Sequence, residues 1–344
     1  MKGLGFREHG GLDRVEFVDV PEPVPGAGEV RIRVRAAAFN RLDRWVLAGI
    51  PGVPIERPHV LGSDVAGEVE RLGAGVDDLQ VGARVLANPG LSDGTCESCR
   101  AGEQSLCRAY RILGEHTQGS ATEFVVLPRR NLYEVPEGWS FGQAAAAPLV
   151  FQTAWRALRT VGAVRPGETV AIVGAGGGVA SAAIQVAKQL GARVAVTTRS
   201  EAKAERARSL GADDVLVTGP ERPLDRALWE WSSKRGVDVI FDSAGRETIP
   251  RSLKAVARGG RIVVIGATTG PVAEVDLRTL FWRQASIRGS TMANTREFEE
   301  VLGELAAGRL HPVVDHESAF EDGVVAFSRL DADDLFGKIV LRGP

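Results

Sequence analysis

Three cysteines, Cys96, Cys99 and Cys107, fall within twelve residues, and the rest of the chain has none. A disulfide framework spreads its cysteines along a chain, whereas a tight thiol cluster is the usual signature of a metal site. Thiolates suit Zn²⁺. The competing reading is a small lobe of buried thiols that holds no metal.

A second stretch has the chemistry of a phosphate cradle. An apolar, β-branched run at 169–173 leads into Gly174-Ala175-Gly176-Gly177-Gly178, and Val179, Ala183, Ile184, Val186, Ala187 and Leu190 then recur at helical spacing as far as Gly191. Strand, glycine turn and helix form a dinucleotide site: the glycines let the backbone approach a pyrophosphate, and the helix start presents free N–H groups. The strict G-x-G-x-x-G pattern is absent; the best frame is Ala175-x-Gly177-x-x-Ala180. An ordinary strand–turn–helix would look similar, but here a second strand at 193–198 follows, closed by Thr198-Arg199-Ser200 with Lys203 one turn on. No carboxylate stands there to take a ribose 2′-hydroxyl, and a guanidinium pairs well with a 2′-phosphate, so the pattern favours NADP(H) over NAD(H). Glu201 and Glu205 keep open the alternative of a solvated helix start.

The elements that must position these groups fall into two patterns. Residues 1–150 read as β-rich, with Val30, Ile32 and Val34 alternating with Arg31, Arg33 and Arg35 as a strand with one wet face. Further short strands are expected at 65–72, 83–88 and 122–127, and Ser140-x-x-Gln143 is a capping box before an alanine-rich helix that Pro148 interrupts. Residues 151–291 alternate strand and helix, with strands at 169–173, 193–198, 214–217, 237–241 and 261–265, the pattern of a doubly wound parallel sheet. The turn at Gly266-Ala267 sits at a strand carboxyl end, where such sheets bind ligands. A last strand at 286–290, a helix from about 295 to 308 and a strand at 338–341 complete the chain.

The 344 residues carry a net charge of −2, with 44% apolar and 25% charged residues, which gives no reason to invoke nucleic acid or an anionic membrane. The longest apolar run, 144–151, is too short to span a bilayer, and the opening MKGLGFREHG lacks a signal core. A cytoplasmic protein is expected.

Several motifs together resemble the medium-chain dehydrogenase/reductase superfamily, over essentially the whole chain. They are Gly26-x-Gly28-Glu29-Val30, Asn40-Arg41-Leu42-Asp43, Leu61-Gly62-Ser63-Asp64-Val65-Ala66-Gly67, Gly82-x-Arg84-Val85, Ala182-Ala183-Ile184-Gln185 and Gly337-Lys338-Ile339-Val340-Leu341. The resemblance implies an α/β protein with a GroES-like β domain from residues 1–150 and 292–344. An inserted Rossmann domain, a doubly wound parallel sheet, would span 151–291, with the active site in the cleft and subunits paired as homodimers or homotetramers. It also implies a structural zinc lobe, in which Cys96, Cys99 and Cys107 match the second to fourth ligands and Asp93 stands where the first cysteine would be. Carboxylate oxygen is an acceptable zinc ligand.

The catalytic zinc of alcohol dehydrogenases is another matter. By the resemblance, Asn40 stands in place of its first cysteine, Ser63-Asp64 in place of a His-Glu pair, and the third ligand position falls near Leu149. None is a good zinc ligand, and the segments 40–43 and 62–64 are similar to the quinone oxidoreductase branch, which works without a catalytic metal. The expected function is therefore NADPH-dependent hydride transfer to a quinone or an α,β-unsaturated carbonyl. Asn40 and Ser63 are the candidate oxyanion donors, and Asp43 and Asp64 the groups that orient the loop. Thr153 resembles the family's cofactor-contacting threonine, and Ala175, Gly177, Gly178, Val179, Thr198, Arg199, Ser200, Lys203, Gly266 and Ala267 complete the expected cofactor set. Asp43 and Asp64 could equally cap turns, His59 with Asp43 and Asp64 could improvise a metal site, and His116 could face a pocket or lie in a surface loop. A zinc-type alcohol dehydrogenase and a non-catalytic NADPH-binding sensor or scaffold are the alternative functions.

Overall fold

The computed structural model describes residues 1–344, which divide into two compact units: Met1–Leu149 with Asn294–Leu302 and His311–Pro344, and Val150–Ala293 with Gly303–Leu310. No helix is long and apolar enough to cross a membrane.

The first unit is built on a sheet of seven strands. Its order is Leu132–Glu134, Arg84–Ala87, Asp64–Leu72, Glu29–Phe39, Lys338–Arg342 and Val314–Ser318, with Phe124–Pro128 pairing on the long central strand. That central strand begins as expected and runs on through Ala36-Ala37-Ala38. Three small residues in a row let another element approach closely: Ala36, Ala38 and Ala66 of the sheet pack on Ala144, Ala145 and Ala146 of the helix Phe141–Ala146. This helix opens on the anticipated capping box, with Gln143 N donating to Ser140 Oγ at 3.1 Å and Ser140 N to Gln143 Oε1 at 3.0 Å. Pro148, which lacks a backbone N–H, restarts the chain as the separate helix Pro148–Trp155.

The wet face of the central strand is only partly wet. Arg33 and Arg35 are exposed, but Arg31 is 6% exposed. Its guanidinium donates to Glu70 and lies 4.8 Å from the Phe124 ring centroid, so pairing and stacking offset the desolvation that alternation alone could not foresee.

Register decides where the site forms. Ala38 pairs with Asp64 on one side of the central strand, and Phe39 with Ile339 on the other. The chain positions 40, 63–64 and 338 therefore arrive at one end of the sheet.

The second unit is a six-stranded parallel sheet in the order Asp214–Val217, Arg193–Thr198, Thr169–Val173, Val237–Asp242, Val256–Val264, Ser286–Gly289. This is a doubly wound sheet whose strand order reverses beside Thr169–Val173, and the carboxyl ends at that reversal form the usual ligand crevice. Val170, Ala171 and Ile172 are fully buried, as a strand with both faces covered requires. The fifth strand starts earlier than the sequence suggested. Arg258-Gly259-Gly260 reads as a turn, yet the chain carries it within the strand, with Gly259 at φ +70° and a register shift opposite Val237–Val239.

Candidate active site and metal lobe

The sheet end in the first unit gathers a closed polar network. Asn40 ends the central strand and begins the helix Arg41–Ala48. Asp43, one turn into that helix, is fully buried; its Oδ2 accepts from Asn40 N at 2.7 Å and its Oδ1 from Gly62 N at 2.6 Å. It thus ties the helix start to the Gly62-Ser63-Asp64 turn. Burial first of all pushes the Asp43 carboxyl up to about 6; the two backbone donors and the Lys338 charge pull the other way.

Asn40 does not cap its helix with its side chain. Its Nδ2 donates to Asp64 Oδ2 at 2.9 Å, and its Oδ1 accepts from Lys338 Nζ. Lys338 Nζ also donates to Asp64 Oδ2 at 2.7 Å, while Asp64 Oδ1 accepts from Leu149 N at 2.8 Å. Lys338 is 2% exposed and Asp64 fully buried. Of the positions at which the resemblance places the catalytic-metal site, Asn40, Asp64 and Leu149 therefore meet here, and an ammonium bridges Asn40 and Asp64. Ser63 is 1% exposed, and its Oγ has no hydrogen-bond partner. Leaving a buried hydroxyl unpaired costs about 1–3 kcal/mol, so this donor stands ready for an acceptor the protein itself does not supply.

A neutral amide, a backbone N–H and one carboxylate already paired with a lysine cation, with no thiolate or imidazole among them, are a poor donor set for Zn²⁺. The improvised His59, Asp43 and Asp64 site does not form either. His59, Asp43 and Asp64 do not bring their ligand atoms together, the one such cluster being Asp93, Cys96, Cys99 and Cys107; His59 Nε2 bonds the Gly114 carbonyl at 3.0 Å, and the four oxygens of the two aspartates are engaged as described.

The metal lobe has the opposite character. The ligand atoms of Asp93, Cys96, Cys99 and Cys107 lie within 4.8 Å of one another. Cys107 Sγ is 3.2 Å from Asp93 Oδ2, and Asp93 Oδ1 is held by Thr95 N at 2.6 Å and Cys96 N at 2.8 Å. These backbone donors hold the carboxyl well below its usual range, ionised and aimed. Three sulfurs and a carboxylate oxygen at such spacing fit a tetrahedral Zn²⁺, which would brace the lobe. Glu103 and Gln104 of the same lobe accept from Asn294 Nδ2 and Thr295 N, at 3.4 and 3.2 Å, at the start of the helix Thr295–Ala306.

In the second unit the glycine turn is built as a cradle. Gly174, at φ +87°, and Gly177 both have nothing within 4 Å of where a Cβ would stand, so the space over the turn is open. Gly174 N and Ala175 N are tied to Thr197 Oγ1 and O at 3.0 and 2.9 Å. Gly177 precedes the helix Gly178–Gln189, which carries Gly178 and Val179 in its first turn. The cradle fits a pyrophosphate. Thr198 closes the second strand, Arg199 is exposed, and Ser200 and Lys203 are half-buried at the start of the helix Glu201–Ser209; Ser200 occupies the cap position, but its side chain makes no capping bond. Gly266 and Ala267 follow the fifth strand, in a loop pinned by Ile265 N to Asp242 O at 2.9 Å. Thr153 is 6% exposed, with its Oγ1 3.8 Å from Met292 Sδ.

Two side chains at the sheet end carry no flag in the sequence reading: Lys338, seen there only as part of a terminal motif, and Glu115. The signal for Lys338 is a lysine opening the otherwise apolar Lys338-Ile339-Val340-Leu341 strand. For Glu115 no sequence signal exists.

Comparison with known proteins agrees with this architecture. Residues 26–137 match the alcohol dehydrogenase GroES-like domain, and residues 178–307 the zinc-binding dehydrogenase domain. An acryloyl-coenzyme A reductase of Metallosphaera sedula is 35% identical over 95% of this chain and 96% of its own. An NAD-dependent alcohol dehydrogenase of Sulfolobus acidocaldarius is 30% identical over 99% of both. The crystal structure of an NAD-dependent alcohol dehydrogenase superposes with a TM-score of 0.93, at 41% identity and full coverage of both chains. With these matches along its whole length, and with both a GroES-like unit and a Rossmann sheet, the chain belongs to the medium-chain dehydrogenase/reductase superfamily and is an oxidoreductase.

Proposed function

We propose that this oxidoreductase reduces α,β-unsaturated carbonyl compounds with NADPH, at a centre that uses no catalytic metal. The observation that carries this reading is the Lys338–Asp64–Asn40 network, which fills the would-be metal position with a fixed ammonium. Without a Lewis acid, a simple ketone or alcohol loses its main activation, whereas a conjugated acceptor delocalises the incoming charge into an enolate or hydroquinone anion. Unsaturated acyl thioesters fit this chemistry, as do quinones and enones, and the 35% identical relative is named an acryloyl-coenzyme A reductase.

Bound at the glycine turn, NADPH would supply the hydride. The chain's own residues do the rest. The cradle around Gly177 and the helix start at Gly178 hold the pyrophosphate, Arg199, Ser200 and Lys203 take the 2′-phosphate, and Gly266, Ala267 and Thr153 border the nicotinamide half. The unpaired Ser63 hydroxyl steadies the developing oxyanion, and Asn40, whose Nδ2 donates to Asp64, holds that carboxylate in place. Asp43 and Asp64 keep that turn rigid. The protein would act in the cytoplasm as a homodimer or homotetramer. The open edge strand Ser286–Gly289 and the exposed Leu277, Phe281 and Trp282 beside it support such an assembly.

The test is a panel in one buffer: NADPH consumption with acryloyl-CoA, crotonyl-CoA, an enone and a quinone, and NADP⁺ reduction with simple alcohols. Turnover of the conjugated acceptors that survives a chelator is the expected result. Alcohol oxidation that a chelator abolishes would instead install the alcohol dehydrogenase reading, which the 41% identical structure favours. Tight NADPH binding without any turnover would leave a sensor.

A further inference from the structure

Glu115 is a largely buried acid that the network above does not use. It follows Gly114, at φ +78°, whose backbone lies so close to the active turn that an added Cβ would stand 2.3 Å from Gly62 O and 3.3 Å from Ser63 N. His59 Nε2 pins Gly114 O at 3.0 Å. The chain therefore delivers Glu115 next to the peptide that carries the unpaired Ser63 hydroxyl. Its side chain is 13% exposed, and the His116 ring stands beside it, with Nε2 at 3.9 Å from Glu115 Oε1. Because His116 Nδ1 accepts from Ile112 N at 3.2 Å, Nε2 is the ring atom that carries the exchangeable proton. That ring is 29% exposed, so the pair links the turn to solvent.

We propose that Glu115 is the acid that protonates the α-carbon when a conjugated carbonyl is reduced; this rests on the reductase reading above. Hydride at the β-carbon moves the C=C electron pair into an enolate. The Glu115 O–H bond then breaks as the α-carbon takes its proton, the enolate pair becomes the new C–H bond, and the carboxylate, 13% exposed, recovers a proton from water. The product is the saturated carbonyl, with NADPH as the sole reductant.

The electrostatics suit that duty. Burial, and then the charge of Asp43 on the helix Arg41–Ala48, push Glu115 up to about 7, near the working pH where an acid is most effective. Lys338 and Asp64 also act on Asp43, with opposite signs. Burial, with Arg111 nearby, lowers the His116 pKa and so disfavours a second charge beside Glu115.

The experiment uses the full-length protein with crotonyl-CoA and NADPH. Wild type is expected to lose kcat as pH rises through about 7, since only the protonated acid donates. Glu115→Gln should lower kcat by about 100-fold or more and abolish that limb, with Glu115→Asp recovering part of the rate. In D₂O, wild type should place deuterium on one face of the α-carbon and Glu115→Gln on both, a change that no purely structural role would cause. Circular dichroism checks that both variants fold. An unaltered pH limb and unaltered stereochemistry in Glu115→Gln would overturn the proposal while leaving the reductase reading intact. Failure of wild type to reduce any conjugated carbonyl would overturn both. Titration of ¹³C-labelled glutamate carboxyls, with Glu115→Gln identifying the signal, gives a readout independent of substrate: a midpoint in the ordinary glutamate range would refute the assignment.

Discussion

Replacing Lys338 by Met keeps the length and apolar stem of the side chain and removes only its charge and donors. The lost contact is the 2.7 Å ion pair to Asp64, which is fully buried, together with the bond to Asn40 Oδ1. With an effective dielectric near 20, two unit charges at that distance attract by about 6 kcal/mol. Desolvation of both ions cancels part of this, but the variant leaves a buried carboxylate unpaired, and such half-broken pairs cost about 3–5 kcal/mol. Urea denaturation followed by circular dichroism, analysed for the first unit's transition, should show a loss of that order. Asp64→Asn on top of Lys338→Met should recover much of it, because the uncompensated charge is then gone. A loss below about 1 kcal/mol in the single variant, or no recovery in the double, would refute the claim that Lys338 neutralises Asp64. The metal position would then need another explanation.

Two further outcomes test the binding sites. Freshly purified protein should carry about one zinc per chain by elemental analysis, falling toward zero in Cys99→Ser and persisting in Asp93→Cys; about two would show that the Asn40 and Ser63 region does hold a metal after all. Arg199→Asp should shift the ratio of kcat/KM for NADPH over NADH at least tenfold toward NADH, the effect of about 1.4 kcal/mol at the 2′-phosphate. An unchanged ratio would remove Arg199 from the phosphate pocket.

The Rossmann half was legible because its physics is local. Three strands, Thr169–Val173, Arg193–Thr198 and Asp214–Val217, fall where apolar runs and glycine stops place them. Gly191 and Gly211 take the positive φ that helix ends demand. The strand at Val256–Val264 escaped because Gly259 and Gly260 signal a turn by composition yet serve a bulge in register. The site in the first unit was legible only as a set of residue types. Asn40, Asp43, Ser63 and Asp64 could be marked by resemblance, but their bonds depend on pairing across distant strands. Nothing near Asn40 in sequence announces Lys338, and nothing about Glu115 announces Asp43. Arg31 makes the same point: a period of two says which face a side chain takes, not whether Glu70 and Phe124 will cover it.

The Lys338–Asp64 bond spans 274 residues of sequence. During synthesis, the central strand and its Asp64 neighbour emerge first, while the cation that balances them follows 274 residues after Asp64. Until then, the nascent sheet end carries a carboxylate that it cannot bury at low cost, and closing so long a loop is itself slow. The first unit therefore assembles as a waiting structure, with its polar centre open to water while the whole Rossmann sheet is made. The strand Lys338–Arg342 locks it. Folding of the active turn is thereby coupled to synthesis of Lys338, so a chain that stops short of it cannot acquire a finished site.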